Sequence, residues 1–307
     1  MREGLAILTA VFFASIGVGY ASAARRGLSM IPFVAVASST AGLVSAALAL
    51  RWGLLSDWRG QLLLAGWVGV AGIFGQVGMA LNGQAMKVAP RRTASSWTLY
   101  QMAMVVPFLV ATLSGREQAA WYQWLALPAV LLSLAALAPR QSSGTVAVAQ
   151  GQNKAGRGRW LFFISVAFLC GGMCQALIQE ISLRKVQDPL NLRAPVALGV
   201  AGVFLWAVAA VRHERASAAH WRLGMLTGVL VAVGNIIAFA GLDGLSEVDR
   251  TCLFYPIAIG GSILLYASFQ LFTGRETFDR RRLAGLACGL LGVMLLALKG
   301  LLALDGG

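Results

Sequence analysis

Gly115-Arg116-Glu117 returns 159 residues later as Gly274-Arg275-Glu276, and the same offset aligns the chain from its first apolar stretch to its last. It carries Gly69-Val70 onto Gly228-Val229, Gly75-Gln76 onto Gly234-Asn235, Arg91 onto Arg250 and Arg25-Arg26 onto Arg184-Lys185. Leu127, Leu131 and Leu132 fall on Leu286, Leu290 and Leu291. An offset that needs no gaps marks a duplication, so the fold must hold two copies of one unit. Each copy is nearly all apolar. Hydrophobic residues make up 58% of the 307 residues and charged residues 12%, about half the charged share of a soluble domain.

Apolar stretches of about 20 residues recur along the chain, each long enough to cross a bilayer as a helix. No period-2 alternation competes with them, which argues against a transmembrane barrel. The pattern predicts an all-α integral membrane protein with ten spans. They cover 4–23, 30–50, 61–81, 94–113 and 121–138 in the first copy, and 160–182, 194–211, 222–242, 251–272 and 282–301 in the second. Five spans per copy is an odd number, so the second copy enters the membrane upside down, as a 5+5 inverted-topology repeat. The organisation is a first repeat over 1–138, a linker over 139–159 and a second repeat over 160–307. The linker holds Gln141-Ser142-Ser143-Gly144, Gln150-Gly151-Gln152-Asn153 and four basic residues, and reads as a flexible loop.

Met1-Arg2-Glu3, an apolar core and Ala21-Ser22-Ala23 imitate a cleavable signal. As an ordinary first span, however, the segment supplies the counterpart of 160–182. The net charge of +13 sits in short loops beside span ends, where it anchors the protein against lipid headgroups, and no basic stripe is left to bind nucleic acid. Loops after odd-numbered spans carry 16 of the 25 Lys and Arg. On charge alone that end, with the linker, is cytoplasmic and both termini lie outside.

Glycines 66, 69, 72, 75 and 78 of the third span recur every three residues. That spacing drifts around a 3.6-residue helix, so the small surface winds and suits a helix crossing several neighbours. Its counterpart has Gly224, Gly228 and Gly234. Gln76 and Asn235 are mates under the offset, both amides deep in apolar spans, where a polar group faces a cavity or pairs with another helix. Gln175 and Gln179 lie one turn apart on one face of the sixth span. Tyr100 and Gln101, with Trp97, sit early in the fourth span, and Tyr255 in the ninth. These aromatics suit either a cavity wall or an interfacial belt.

No carboxylate lies at the middle of a span. Glu180 and Asp243 come nearest, each close to a span end, while Glu117 and Glu276 close the repeated triplet as structural corners or coupling acids. Lys87, Arg91 and Arg92 form a basic cluster after the third span, suited to topology anchoring or to attracting anions. Cys170, Cys174, Cys252 and Cys288 fall inside spans and read as small packing residues. His213 and His220 share a predicted loop. Without an intramembrane Ser/His pair, aspartyl pair or metal set, neither an enzyme nor a metal site is expected, and no cofactor is implied.

The close of each half, Tyr100…Pro107…Gly115-Arg116-Glu117 and Tyr255-Pro256…Gly274-Arg275-Glu276…Leu283-Ala284-Gly285…Gly289-Leu290-Leu291-Gly292, resembles the EamA-type members of the drug/metabolite transporter superfamily. The resemblance covers essentially the whole chain. It implies a ten-helix inverted-repeat carrier for a small organic solute, working by alternating access, with export one of its directions and both termini cytoplasmic. A bacterial inner membrane is the implied location. A flippase for lipids or lipid-linked head groups is the alternative, since flippase branches share this architecture. Gly285 and Gly289 form a GxxxG in the last span, suited to contact between end spans or to a homodimer.

Overall fold

The computed structural model describes residues 2–49, 58–114, 120–138, 147–183, 188, 191–246, 254, 256–276 and 279–302. Among them every regular element is helical and there is no strand. In hydrocarbon every backbone N–H and C=O must find its partner within the segment, and a continuous helix does this. The helices are α1 (Arg2–Arg25), α2 (Met30–Ala49), α3 (Trp58–Val88), α4 (Thr93–Gln101), α5 (Val105–Leu113), α6 (Trp121–Trp124), α7 (Ala126–Leu137), α8 (Ala147–Leu183), α9 (Arg193–Val211), α10 (Ala218–Ser246), α11 (Gly261–Phe272) and α12 (Arg280–Leu302). A 3₁₀ turn, Met102–Met104, joins α4 to α5, and a π-helical turn, Pro256–Gly260, leads into α11.

Six of these helices, within α1, α2, α3, α8, α9 and α10, are long and apolar enough to cross a membrane. Trp121–Leu137 and Ile257–Phe272 are shorter apolar stretches. Leucines and valines such as Leu43, Leu63, Leu113 and Val203 cover the outside. Apolar cover on this scale needs lipid rather than water against it. The chain is therefore all-α and built as a multi-pass membrane protein.

Two expectations change. α8 starts at Ala147, so the second half of the 139–159 segment is helix rather than loop. Residues 147–159 hold three alanines, a lysine and two arginines, and extending a helix already formed costs far less than nucleating one. His220 lies in the first turn of α10 and not in a loop. There its Nδ1 takes the backbone N–H of Ser217 at 3.0 Å, an N-terminal cap.

The main packing pairs are α3 on α8 and α9, α10 on α1 and α2, α2 on α9, and α7 on α12. The winding glycine surface of α3 makes two of them. Gly69 and Gly72 meet Val200 and Ala197 of α9, and Gly75 and Gly78 meet Cys174 and Gly171 of α8. On α10, Gly224 and Gly228 meet α2, and Gly234 meets Phe12 of α1. A Cβ on Gly72 would fall within the backbone of Ala197, whereas one on Gly66 meets nothing within 4 Å. Gly72→Ala is accordingly expected to destabilise by about 1–3 kcal/mol. Gly66→Ala should be neutral or slightly stabilising, and melting curves in detergent compare the two.

Gly285 and Gly289 of α12 lie against Leu137, Met102 and Ser133. The Ser133 hydroxyl donates to the Gly285 carbonyl at 2.8 Å. The GxxxG is thus occupied within the chain, between the end helices of the two halves.

Candidate functional site

Two helix breaks build the site. Pro107, third in α5, has no N–H and crowds the carbonyl four residues back, and the 3₁₀ turn Met102–Met104 takes up the distortion. In the second half Pro256 opens the π turn that ends at Gly260. The breaks touch: Gln101 Nε2 donates to Ser262 Oγ at 3.3 Å, and that hydroxyl donates to the Ile259 carbonyl at 2.8 Å. Trp97 and Tyr100 lie on the fully buried α4 just before the first break. A Cβ on Gly17 of α1 would lie 2.9 Å from the Trp97 ring, and one on Gly171 of α8 at 2.9 Å from the Tyr100 ring. Trp97 is 5.7 Å from Tyr266 and 6.2 Å from Tyr100, ring centre to ring centre.

Against this aromatic wall lies a cavity of about 180 Å³ between α1, α3, α4, α8, α10 and the π turn. Gln76, Tyr100, Gln101, Gln175 and Asn235 all line it. Gln179 does not; Ile178 lines it instead. Tyr255 lies outside the described residues, while its neighbour Phe254 is part of the wall. Tyr100 spends its hydroxyl on the Gly75 carbonyl at 3.3 Å. Asn235 donates its Nδ2 to the Val231 carbonyl, one turn back, at 2.8 Å, leaving its Oδ1 without a partner among the described residues. Gln76 makes no hydrogen bond among the described residues, and the Oε1 of Gln175 is buried without a partner. None of the described lining side chains is charged.

The cavity reaches towards the last turns of α8 and α10, where Ile178 and Leu242 lie. The opposite end is closed by a buried network on Thr93, the first residue of α4. Thr93 Oγ1 donates to Glu276 Oε1 at 2.5 Å and accepts from Tyr266 at 2.9 Å and from Arg25 at 3.2 Å. One donor and two lone pairs are all a hydroxyl has, so this one is fully used. Arg25 also donates to Gln270 Oε1 at 2.6 Å. Glu276 Oε1 further accepts the backbone N–H of Ala94 at 2.9 Å, capping α4 with a carboxylate. The repeated triplet supplies the bend. Gly274 has φ +62°, which ends α11, Arg275 lies 5.3 Å over the Phe269 ring, and Glu276 then turns inward.

The other acids sit apart from the cavity. Asp243 makes a two-pronged pair with Arg193 at 3.0 and 3.1 Å, tying α10 to the start of α9. Asp188 caps that same helix start through the N–H groups of Leu192 and Arg193. Glu180 is half-buried near the end of α8, and Glu117 lies outside the described residues. Two members of the basic cluster are spent on backbone, while Arg91 is exposed. Lys87 donates to the Gly27 carbonyl at 2.9 Å, and Arg92 reaches the Leu137 and Ala138 carbonyls at 3.5 and 3.4 Å. Partial burial and then the nearby Arg282 lower the pKa of Arg92. Arg281 donates to the Ala135 carbonyl, so both guanidinium groups cap the C-terminus of α7.

Several lining residues carried no polar signal in the sequence. Phe13, Ile16, Met79, Cys174 and Phe239 look like core in an apolar helix, and only the packing shows them at a cavity. Trp97, equally a belt residue by sequence, is 2% exposed and part of the wall. A second hollow, about 460 Å³, lies between α1, α10 and α11. Its Ser15 and Thr227 hydroxyls are turned back onto their own helices, and its Val11, Leu226 and Leu265 belong to the exposed apolar surface. Its lining is otherwise mostly apolar and it belongs to the lipid-facing side. Among the described residues no group of His, Cys, Asp and Glu could hold a metal.

No protein-family model matches the chain, and no curated protein matches it. Among 18 matching solved chains is one described only as "Crystal structure of protein", which covers 98% of this chain and 98% of its own length at a TM-score of 0.61 and 15% identity. At that identity the likeness speaks for the fold alone, and it extends over the whole helical bundle.

Proposed function

We propose that the chain is a secondary transporter of the EamA type in the drug/metabolite transporter superfamily, with ten spans in a 5+5 inverted repeat. It moves a small organic solute across a bacterial inner membrane by alternating access. One observation carries this. The cavity lies where the broken fourth and ninth spans meet, and the offset-related amides Gln76 and Asn235 both line it. Broken helices around a site near the midplane are how inverted-repeat carriers expose polar groups to a solute.

The packing supports the repeat. Moving each helix to its mate exchanges α3–α8 with α10–α1, and α2–α10 with α9–α3, while α2–α9 and α7–α12 return to themselves. Opposite directions for mates are supported by α1, which ends at the Thr93 network with Arg25, and by α8, which passes α4 where Trp160 donates to Ser96 at 3.0 Å and then leads away towards Gly171 beside Tyr100. The cavity is smaller than the roughly 300–1,000 Å³ of sites for drug-sized ligands, which favours a metabolite as the solute.

The test is counterflow in liposomes holding the purified protein. Solutes that raise its melting temperature are loaded inside, and entry of the labelled solute is followed. Saturable entry above that of empty liposomes is the expected result. A solute that binds yet never crosses, under gradients of either direction and with or without a proton gradient, rules transport out.

A further inference from the structure

The amides at the cavity present something a simple apolar hollow does not. Gln76 has neither its donor nor its acceptor engaged by a described residue, Asn235 has its Oδ1 left over, and Gln175 has an orphan Oε1. A primary amide shows a donor and an acceptor side by side, and its natural complement shows an acceptor and a donor side by side. Cis-amides, lactams and ureides have such an edge and carry no net charge. The rest of the wall is flat or apolar: Trp97, Tyr100, Phe13 and Phe239 offer ring faces or edges.

Charge narrows the choice further. No described lining residue is ionised. The acids that could have served are engaged elsewhere, Asp243 on Arg193 and Glu276 on α4. A carboxylate or ammonium brought into such a cavity would lose hydration with no opposite charge among the described lining residues to replace it. A polyol meets a different obstacle, because its many hydroxyls outnumber the polar groups on offer and several would be buried unpaired. At about 180 Å³ the cavity is below the usual range for drug-sized ligands, which suits a one- or two-ring solute.

We propose that the cavity binds a neutral, flat solute bearing an amide-, lactam- or ureide-type edge, read by the side chains of Gln76, Asn235 and Gln175 against the Trp97–Tyr100 wall. The inference rests on the carrier function proposed above for the same site, but binding is measured separately from transport.

The probes are uracil, hypoxanthine and nicotinamide as neutral flat solutes, glutamate, lysine and choline as charged ones, and glucose as a neutral polyol. Each is offered to the purified protein at roughly 10 mM, well above a weak Kd, and read as a rise in melting temperature. At least one flat probe is expected to stabilise, and the charged probes and glucose are not. Gln76→Leu should weaken the flat probe at least tenfold. Gln76→Glu keeps the shape while adding charge, and should lose the flat probe and gain choline. Stabilisation by charged probes or glucose alone, or by none of the seven, overturns the proposal, as does a flat probe that binds both variants unchanged. Counterflow then separates the two claims. If uracil binds through Gln76 but never crosses, the carrier function falls and the ligand class stands. If lysine or glutamate crosses and no flat probe binds, the reverse holds.

Discussion

Leucine at Gln76 is expected to cut transport of the solute by about ten- to a hundredfold, the cost of one lost hydrogen bond in a closed site, with no loss of stability. Gln76 makes no hydrogen bond among the described residues, so its replacement removes a solute contact and leaves no protein group stranded. Asn235→Leu removes one local bond, to the Val231 carbonyl, and should behave alike with a small fall in melting temperature. Paired measurements of melting and counterflow decide the matter. If both variants transport normally, the cavity is not the site. If both melt early and transport in proportion to the folded fraction, the amides serve packing.

Glu276→Ala is expected to have the opposite profile. It strips the Thr93 hydroxyl and the Ala94 N–H of a shared carboxylate oxygen in a buried position. Two hydrogen bonds to a charged group amount to about 3 kcal/mol or more. Glu276→Gln keeps an acceptor at Oε1 for both donors and should lose much less. Thermal melting of the two variants separates capping from charge: if Gln is as damaging as Ala, the negative charge itself matters, most directly for the guanidinium of Arg25.

The helices and the polar residues inside them were legible in the sequence because hydrocarbon makes a lone amide stand out. Gln76, Gln175 and Asn235 are conspicuous for that reason, and all three line the cavity. The winding glycines of α3 were legible too, since a three-residue spacing on a 3.6-residue helix has only one geometric meaning. What the sequence conceals is which side of an apolar helix faces the cavity. Gln179 shares a face with Gln175 in an ideal helix, but the cavity is bounded by Ile178 at that level. Trp97 could be a belt residue or a wall until Gly17 and the Met102–Met104 turn are placed around it. The partner of Glu276 was also hidden. A glutamate beside an arginine suggests a local pair, yet Glu276 reaches α4, 182 residues away along the chain.

The 159-residue offset repeats only part of the Thr93 network: Arg25 and Glu276 have Arg184 and Glu117 as mates. By sequence the mates of Thr93, Tyr266 and Gln270 are Cys252, Pro107 and Ala111, which cannot repeat its hydroxyl and amide bonds. A carrier with two such unequal ends does not rock between equivalent states. Each 1.4 kcal/mol of difference shifts the resting population tenfold, so in the carrier proposed above the end held more firmly stays shut while the molecule is empty. The solute then has to supply the difference by binding the rarer state more tightly. If the Thr93 end is the firmer one, its opening is the slow half of the proposed cycle, and the side of the membrane that it faces favours one direction of transport.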